Sequence, residues 1–435
     1  MSRSLNKVSE PNLRNKYDFQ SDVLDIIIGG QSTIDSTTAF QVLNLEEADL
    51  FIKGYGYDLD NPIEKAEVLG NFHEALNFIR KNFLQPENPD GLKLEIPRKI
   101  LELTDVRELF LMIGPSQVTS LPADYSKLTL QNWACSILKV MHTIAHIDKD
   151  LRSSYFADIQ KQIFDRFYKA VHRDAEGKLF LGDKDDDPFR VDLVAFETKP
   201  KKSRDSIILK LLHKSENVAE DIFDRVGIRF VTHSPLGALQ VIKYLKDKMI
   251  VMAPNIKPSR SRNTLVYIEG FRSQLDKLLS AVEATETSEE ENNKSHDATH
   301  TATLAQNFAR DVEQITQPTS ANLDNPHSSE HYRAIQFTCR QLIKLRNPLY
   351  NDLRELKALV KAKPLDDDVL KTIDRIDLKY TQREIRFFYP FEVQVVDIKS
   401  AEENEKGKSS HSEYKRSQIF TAMKRVMGVL TDDVR

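Results

Sequence analysis

Cysteine is almost absent: the chain has two in 435 residues, Cys135 and Cys339, far apart and outside any metal-ligand spacing. That usage excludes a disulfide framework and a thiolate zinc site, and it fits a reducing, cytoplasmic compartment. Glycine is scarce too, with 14 residues, about half the roughly 7% norm. Neither a P-loop nor a G-x-G-x-x-G fingerprint occurs, so the commonest phosphate cradles are excluded. No segment approaches the roughly 18 apolar residues of a membrane helix, and the first 15 residues are polar, so a soluble chain with no membrane partner is expected. An excess of one charge is lacking as well: 62 Lys and Arg face 66 Asp and Glu, a net charge of −4. No global field would hold duplex nucleic acid, and any polyanion must meet a local basic patch. The length predicts two or three domains, each able to bury its own core.

What is present divides into two regimes. From Ile63, Ala66, Leu69, Phe72, Leu76, Ile79 and Phe83 recur at three- and four-residue steps, the stripe of an amphipathic helix. Ile100 to Ile113 behind Pro97, Leu128 to Ile147 with Trp133, Ile137, Val140, Met141 and Ile144, and Tyr155 to Val171 continue it. Residues 1–175 therefore read as a helical region. An Asp-rich loop, Gly177 to Pro188, precedes strand-like Val191 to Phe196, and strands then alternate with helices. Val226 to Val231, Thr264 to Ile268, His331 to Thr338 and Ile385 to Ile398 read as strands. Ile207 to Leu212, Leu236 to Leu245, Phe271 to Val282, Leu353 to Val360 and Tyr414 to Val426 read as helices. That alternation implies an α/β layer over 190–282 and 326–435. Between them, 283–325 is rich in Glu, Thr, Ser, Asn and His with few large apolar residues, and a disordered or loosely helical insertion is expected.

Three strips of the second half could carry chemistry, each with a plain structural alternative. In Lys199 to Lys214 a basic loop runs into a helix on which Ser206, Lys210 and Lys214 share a face. It suits a phosphate chain, or is a solvated basic helix. In Asp224-Arg-Val-Gly-Ile-Arg229 a carboxylate enters a buried strand, which needs a metal or a structural Asp–Arg pair. In Phe391-Glu-Val-Gln-Val395, period two places Glu392 and Gln394 on one face and Phe391, Val393 and Val395 on the other. That face could hold a metal and a nucleotide, or the strand is a half-exposed edge. His142, His146 and Asp148 of the helical region read as core or capping groups, since His146-Ile-Asp148 is not the adjacent His-Asp pair of a metal hydrolase.

The order of these strips resembles a divergent RelA/SpoT-type alarmone synthetase domain, a nucleotide pyrophosphokinase. Ser206-Ile207-Ile208-Leu209-Lys210 is similar to the family's Ser-Ile-x-x-Lys, and Asp224 to Phe230 to its Asp-Leu-x-Ala-x-Arg-Ile. His331-Tyr332-Arg333-Ala334-Ile335-Gln336 resembles Gly-Tyr-x-Ser-Ile-His, Glu392-Val393-Gln394 the Glu-x-Gln strand, and His411-Ser-Glu-Tyr414-Lys415 the His-x-x-Tyr-Lys motif. The resemblance covers about 199–260 and 325–428. Gln336 and Val396 stand where the family has histidine and arginine, and His331 replaces a glycine.

The resemblance implies an α+β fold, a helical N-terminal region followed by a nucleotidyltransferase-like mixed sheet flanked by helices. It implies transfer of pyrophosphate from ATP to the 3′-hydroxyl of a guanine nucleotide. Asp224 and Glu392 would hold Mg²⁺, with Glu392 also taking the hydroxyl proton. Lys199, Lys201, Lys202, Ser206, Lys210 and Arg229 would bind the ATP phosphates, and Tyr332, Arg333, Gln336 and Gln394 the acceptor. His411 and Lys415 complete the set. The alternatives are the same reaction on an adenine nucleotide or a tRNA 3′ end, and a non-catalytic nucleotide-binding module.

Overall fold

A computed structural model describes residues 26–36, 39–113, 127–183, 187, 189–199, 202–214, 225–288, 294–315, 332–361, 367–375, 383–405, 411–428 and 430–431. The longer helices are α1 (Leu45–Gly54), α2 (Pro62–Phe83), α3 (Arg107–Ile113), α4 (Lys127–Asp148), α5 (Phe156–Tyr168), α6 (Arg204–His213) and α7 (Pro235–Asp247). They continue with α8 (Ile268–Ser288), α9 (Lys294–Gln314), α10 (Pro348–Lys361), α11 (Asp367–Asp374), α12 (Ile398–Glu405) and α13 (His411–Met427). The strands are β1 (Val171–Arg173), β2 (Leu179–Leu181), β3 (Val191–Thr198), β4 (Gly227–Thr232), β5 (Arg262–Asn263), β6 (Ile335–Arg346) and β7 (Glu384–Asp397). The fold is mixed α and β, divided into two compact units.

The first unit comprises 1–153, 203–222 and 415–435 and is helical among its described residues. Asn61 caps α2 by accepting from the Ile63 amide, with Pro62 in the first turn, where a missing N–H costs nothing. The α2 stripe buries Val68, Phe72, Leu76, Ile79 and Phe83, and the expected α4 stripe of Trp133, Ile137, Val140, Met141 and Ile144 is buried in the same core. The helix expected over Ile100 to Ile113 is broken into Arg98–Leu101 and α3. Asp105 accepts from the Arg107 amide at 3.0 Å and restarts the helix there.

The unit boundaries differ from the expected ones at 175 and 190. Ile208, Leu209, Leu211 and Leu212 of α6, and Ala422, Met423, Val426 and Met427 of α13, pack into the helical core. Their apolar faces match that core, although their positions in the chain suggested the sheet.

The second unit, 154–202 and 223–414, is built on a seven-stranded sheet of order β1-β2-β3-β4-β7-β6-β5. Only the central β4–β7 pair is parallel. The loop expected over Gly177 to Pro188 contains β2, which pairs with β1 across a turn where Gly177 sits at φ +81°, a conformation that favours glycine. The strand expected over Thr264 to Ile268 is absent. The side-chain oxygen of Asn263 accepts from the Leu265 and Val266 amides at 3.1 and 3.0 Å, and this turn ends β5 after two residues. β7 is central rather than an edge strand, flanked by β4 and by a twelve-residue pairing with β6.

The insertion expected to be disordered or loosely helical is largely helical where described. α9 covers Lys294–Gln314; the Phe308 ring lies tilted against Phe271 of α8 at 6.0 Å, and Val312 is 1% exposed. Leu304, Phe308 and Val312 recur every fourth residue, so a polar composition still yields one narrow apolar stripe. Residues 316–325 lie outside the described set.

Candidate functional site

The pleat of β7 sorts its side chains as the sequence predicts. Phe391, Val393 and Val395 enter the apolar core with Ile228 and Phe230 of β4 and Ile335 and Phe337 of β6. Glu392 and Gln394 take the opposite face, yet are only 7% and 6% exposed. A central strand covered on both faces explains this burial of polar groups, which then require partners.

The sheet register supplies them. Gln394 stands opposite Arg229 on β4 and Gln336 on β6, Arg229 is opposite Glu197 on β3, and Gln336 is opposite Arg262 on β5. This makes one polar row across five strands. Beside it, Glu392 stands between Gly227 and Thr338. Lys199 Nζ donates to Glu392 Oε1 at 2.8 Å, and Gln336 Nε2 donates to Oε2 at 2.6 Å. Gly227 makes room for the first bond, since a Cβ there would lie 2.5 Å from Lys199 Cδ. The Lys199 amide also donates to the Gly227 carbonyl at 2.8 Å, fixing where its side chain starts. The Lys199 side chain is 38% exposed and that of Glu392 9%, so a part-exposed lysine meets a buried carboxylate.

Arg229 Nη1 reaches Glu197 at 3.3 Å and Glu405 of α12 at 3.5 Å, while its buried Nε has no hydrogen-bond partner among the described residues. Both acids are more than half exposed, so these pairs are weakly held and an incoming anion can replace them. Tyr332 packs with Val231, Ala334 and Val396 while Gln394 donates to its hydroxyl, and burial raises its pKa. Asn404 of α12 clamps the Arg333 backbone, accepting from its N–H at 3.0 Å and donating to its carbonyl at 2.8 Å, and Arg333 Nη1 donates to the Thr264 carbonyl at 3.1 Å. Gln336 also lines a cavity of about 360 Å³ with Lys246, Arg262, Asn263 and Phe337, within the range that takes a small ligand.

Of the residues expected from sequence, the structure thus brings together Lys199, Arg229, Tyr332, Gln336, Glu392 and Gln394, with Arg333 beside Tyr332. Lys202 lies in the loop ahead of α6. Ser206 and Lys210 on α6 and Lys415 on α13 belong to the other unit, where the Ser203 side chain caps α6 by accepting from the Ser206 amide. Asp224, Lys201 and the side chain of His411 fall outside the described residues. Sequence reasoning missed Glu197, Glu405, Asn404 and Gly227. Only Gly227 carried a signal, a glycine inside an otherwise apolar strand. No family model, curated protein or solved structure matches the chain.

Proposed function

We propose that the sheet unit is a nucleotide pyrophosphokinase of the RelA/SpoT kind, moving the terminal diphosphate of ATP to the 3′-hydroxyl of a guanine nucleotide. The observation that carries this reading is the buried Glu392 carboxylate held between the ammonium of a part-exposed lysine and an amide donor. Phosphates arriving at Lys199 and Arg229 replace the acids those cations now hold. Glu392 is then left with Gln336 alone and free to accept the acceptor hydroxyl proton as the new oxygen–phosphorus bond forms and AMP departs. The described residues hold no group of three metal-ligating side chains. One carboxylate beside substrate phosphates nevertheless suits a hard cation, so Glu392, with Asp224, would hold Mg²⁺, which supplies charge neutralisation. Gln336 and Gln394 present amides for an acceptor base.

The Lys199–Glu392 pair also favours a second reading, a non-catalytic nucleotide-binding module in which both carboxylate oxygens stay engaged. Purified protein, Mg²⁺, γ-labelled ATP and a panel of guanine nucleotide, adenine nucleotide and tRNA acceptors separate the two. Labelled acceptor that disappears in Glu392→Gln supports transfer. ATP binding with no labelled product on any acceptor establishes the module instead.

A further inference from the structure

The sheet unit holds a second site that the transfer chemistry does not use. It forms because β5 is only two residues long beside the twelve-residue β6. Ahead of β5 the chain touches β6 at Ile256, opposite Cys339, then passes through the 3₁₀ turn Pro258–Arg260 before Arg262 pairs with Gln336. Pro254 and Pro258 stand in the turns of this segment and fix φ there, so its course is set without a ladder of strand bonds. The cavity of about 360 Å³ at Gln336 is bounded by this segment, by α7 and by β6. A cavity of about 150 Å³ holds benzene, roughly 25 Å³ per non-hydrogen atom, so about 14 such atoms fit here.

The walls divide by chemistry. Ile242, Val251, Ile256, Ile335 and Phe337 are apolar. The neutral polar side chains are committed elsewhere. Asn263 accepts from the Leu265 and Val266 amides and donates to the Val266 carbonyl at 2.7 Å, Ser261 Oγ donates to the Lys257 carbonyl at 3.4 Å, and Gln336 Nε2 donates to Glu392. Two cations remain. The half-buried Arg262 side chain has no hydrogen bond or ion pair among the described residues. Lys246 Nζ lies 3.0 Å from Asp247, but Lys243 holds the other oxygen of that carboxylate at 2.5 Å, so one positive charge is left over. No Asp or Glu among the described residues lines the cavity. A part-desolvated guanidinium calls for an acceptor, and a carboxylate is the acceptor its fork fits. A sugar would bring hydroxyls that these walls cannot bond, and a phosphate chain would press charged oxygens on apolar side chains.

We propose that this cavity binds a medium-chain carboxylate of about eight to twelve carbons, its chain against the apolar walls and its head paired with Arg262, Lys246 adding charge. Apolar walls with a few placed polar groups are the usual make-up of such a pocket.

Octanoate, octan-1-ol and butyrate, titrated calorimetrically into the full-length protein at neutral pH without nucleotide or Mg²⁺, test it. Octanoate binds with a Kd of about 0.5 mM or below, octanol at least about fivefold more weakly for want of the charge, and butyrate at least about tenfold more weakly for want of chain. Arg262→Gln weakens octanoate at least about fivefold and leaves octanol unchanged. Ile242→Trp, which fills the space from α7, abolishes binding of both. Should that variant fail to fold, the split between octanoate and octanol in Arg262→Gln still decides, since Arg262 holds no partner whose loss would unfold the strand. With no nucleotide present, the result stands apart from the fate of the transferase reading. Octanol binding as tightly as octanoate, octanoate binding undiminished in Arg262→Gln or in folded Ile242→Trp, or no octanoate binding up to roughly 10 mM would overturn the proposal.

Discussion

The two units differ in how one group of their polar side chains is satisfied. In the helical unit, Ser136 Oγ donates to the carbonyls of Asn132 and Val426, Thr143 Oγ1 to that of Lys139, and Arg425 Nη1 to that of Leu212, all of them main chain. In the sheet unit, the side chains of Lys199–Glu392–Gln336 and of Gln394–Tyr332 bond to each other. Main-chain acceptors are fixed by the helices that present them, so such bonds build a core. Side-chain partners turn on their own rotors and can exchange for a ligand atom without moving a strand. A network of that kind is where chemistry is to be sought.

This contrast is sharpest under substitution. Glu392→Gln keeps the shape and removes the charge, and transfer should fall at least about 100-fold, the low end of what a general base contributes. The melting temperature should drop only slightly, because Lys199 can turn outward to water. Outright unfolding would instead make the ion pair structural and erase the distinction between the units.

His142 gives the next effect, in the opposite unit and on stability alone. Burial, and then the neighbouring His146, hold its folded pKa at about 3, below the ordinary 6.5, so the unfolded chain binds a proton that the folded one refuses. Stability conferred by the neutral ring is therefore complete above about pH 6.5 and lost as pH falls towards about 3, by up to ~1.4 kcal/mol per unit. Urea midpoints at pH 7, 5.5 and 4.5 should slope accordingly, and His142→Phe should flatten that slope. An unchanged slope in the variant would show that His142 does not sense acid.

Legibility in the sequence followed the range of the interactions concerned. Periodicity found α2, α4 and α7 and the two faces of β7, because a side chain's face depends on its own neighbours in the chain. It could not show that α6 joins the helical core, that β7 is central, or that Lys199 meets Glu392, since 193 residues separate that pair. It also left α9 as disordered or loosely helical, because composition hid the spacing of Phe308 and Val312. The acceptor-binding expectation at Arg333 met a residue whose backbone is clamped by Asn404, from a helix with no distinguishing motif.

Two smaller effects complete the series. Ser136→Ala strands the buried Val426 carbonyl and should cost about 1–3 kcal/mol with transfer unaffected, read from a denaturant midpoint at unchanged slope. Gly227→Ala should cost about 1 kcal/mol or less, because a flexible lysine can step aside. It should still raise the KM for ATP several-fold, because a Cβ at 227 displaces the Lys199 side chain from the place where it meets the phosphates. An unaltered KM would detach Lys199 from the donor.

The chain also passes between the units more than once. It leaves the sheet unit after β3, contributes α6 to the helical core, returns for β4, and only near its end supplies Ala422, Met423, Val426 and Met427 to that same core. During synthesis the helical unit cannot close until residues 415–435 emerge, and the parallel β4–β7 pair waits almost as long. Cutting at a single point never yields the helical unit whole. A nascent chain stalled before residue 415 would expose an unfinished apolar core to chaperones and proteases, so cells must keep this protein by finishing it.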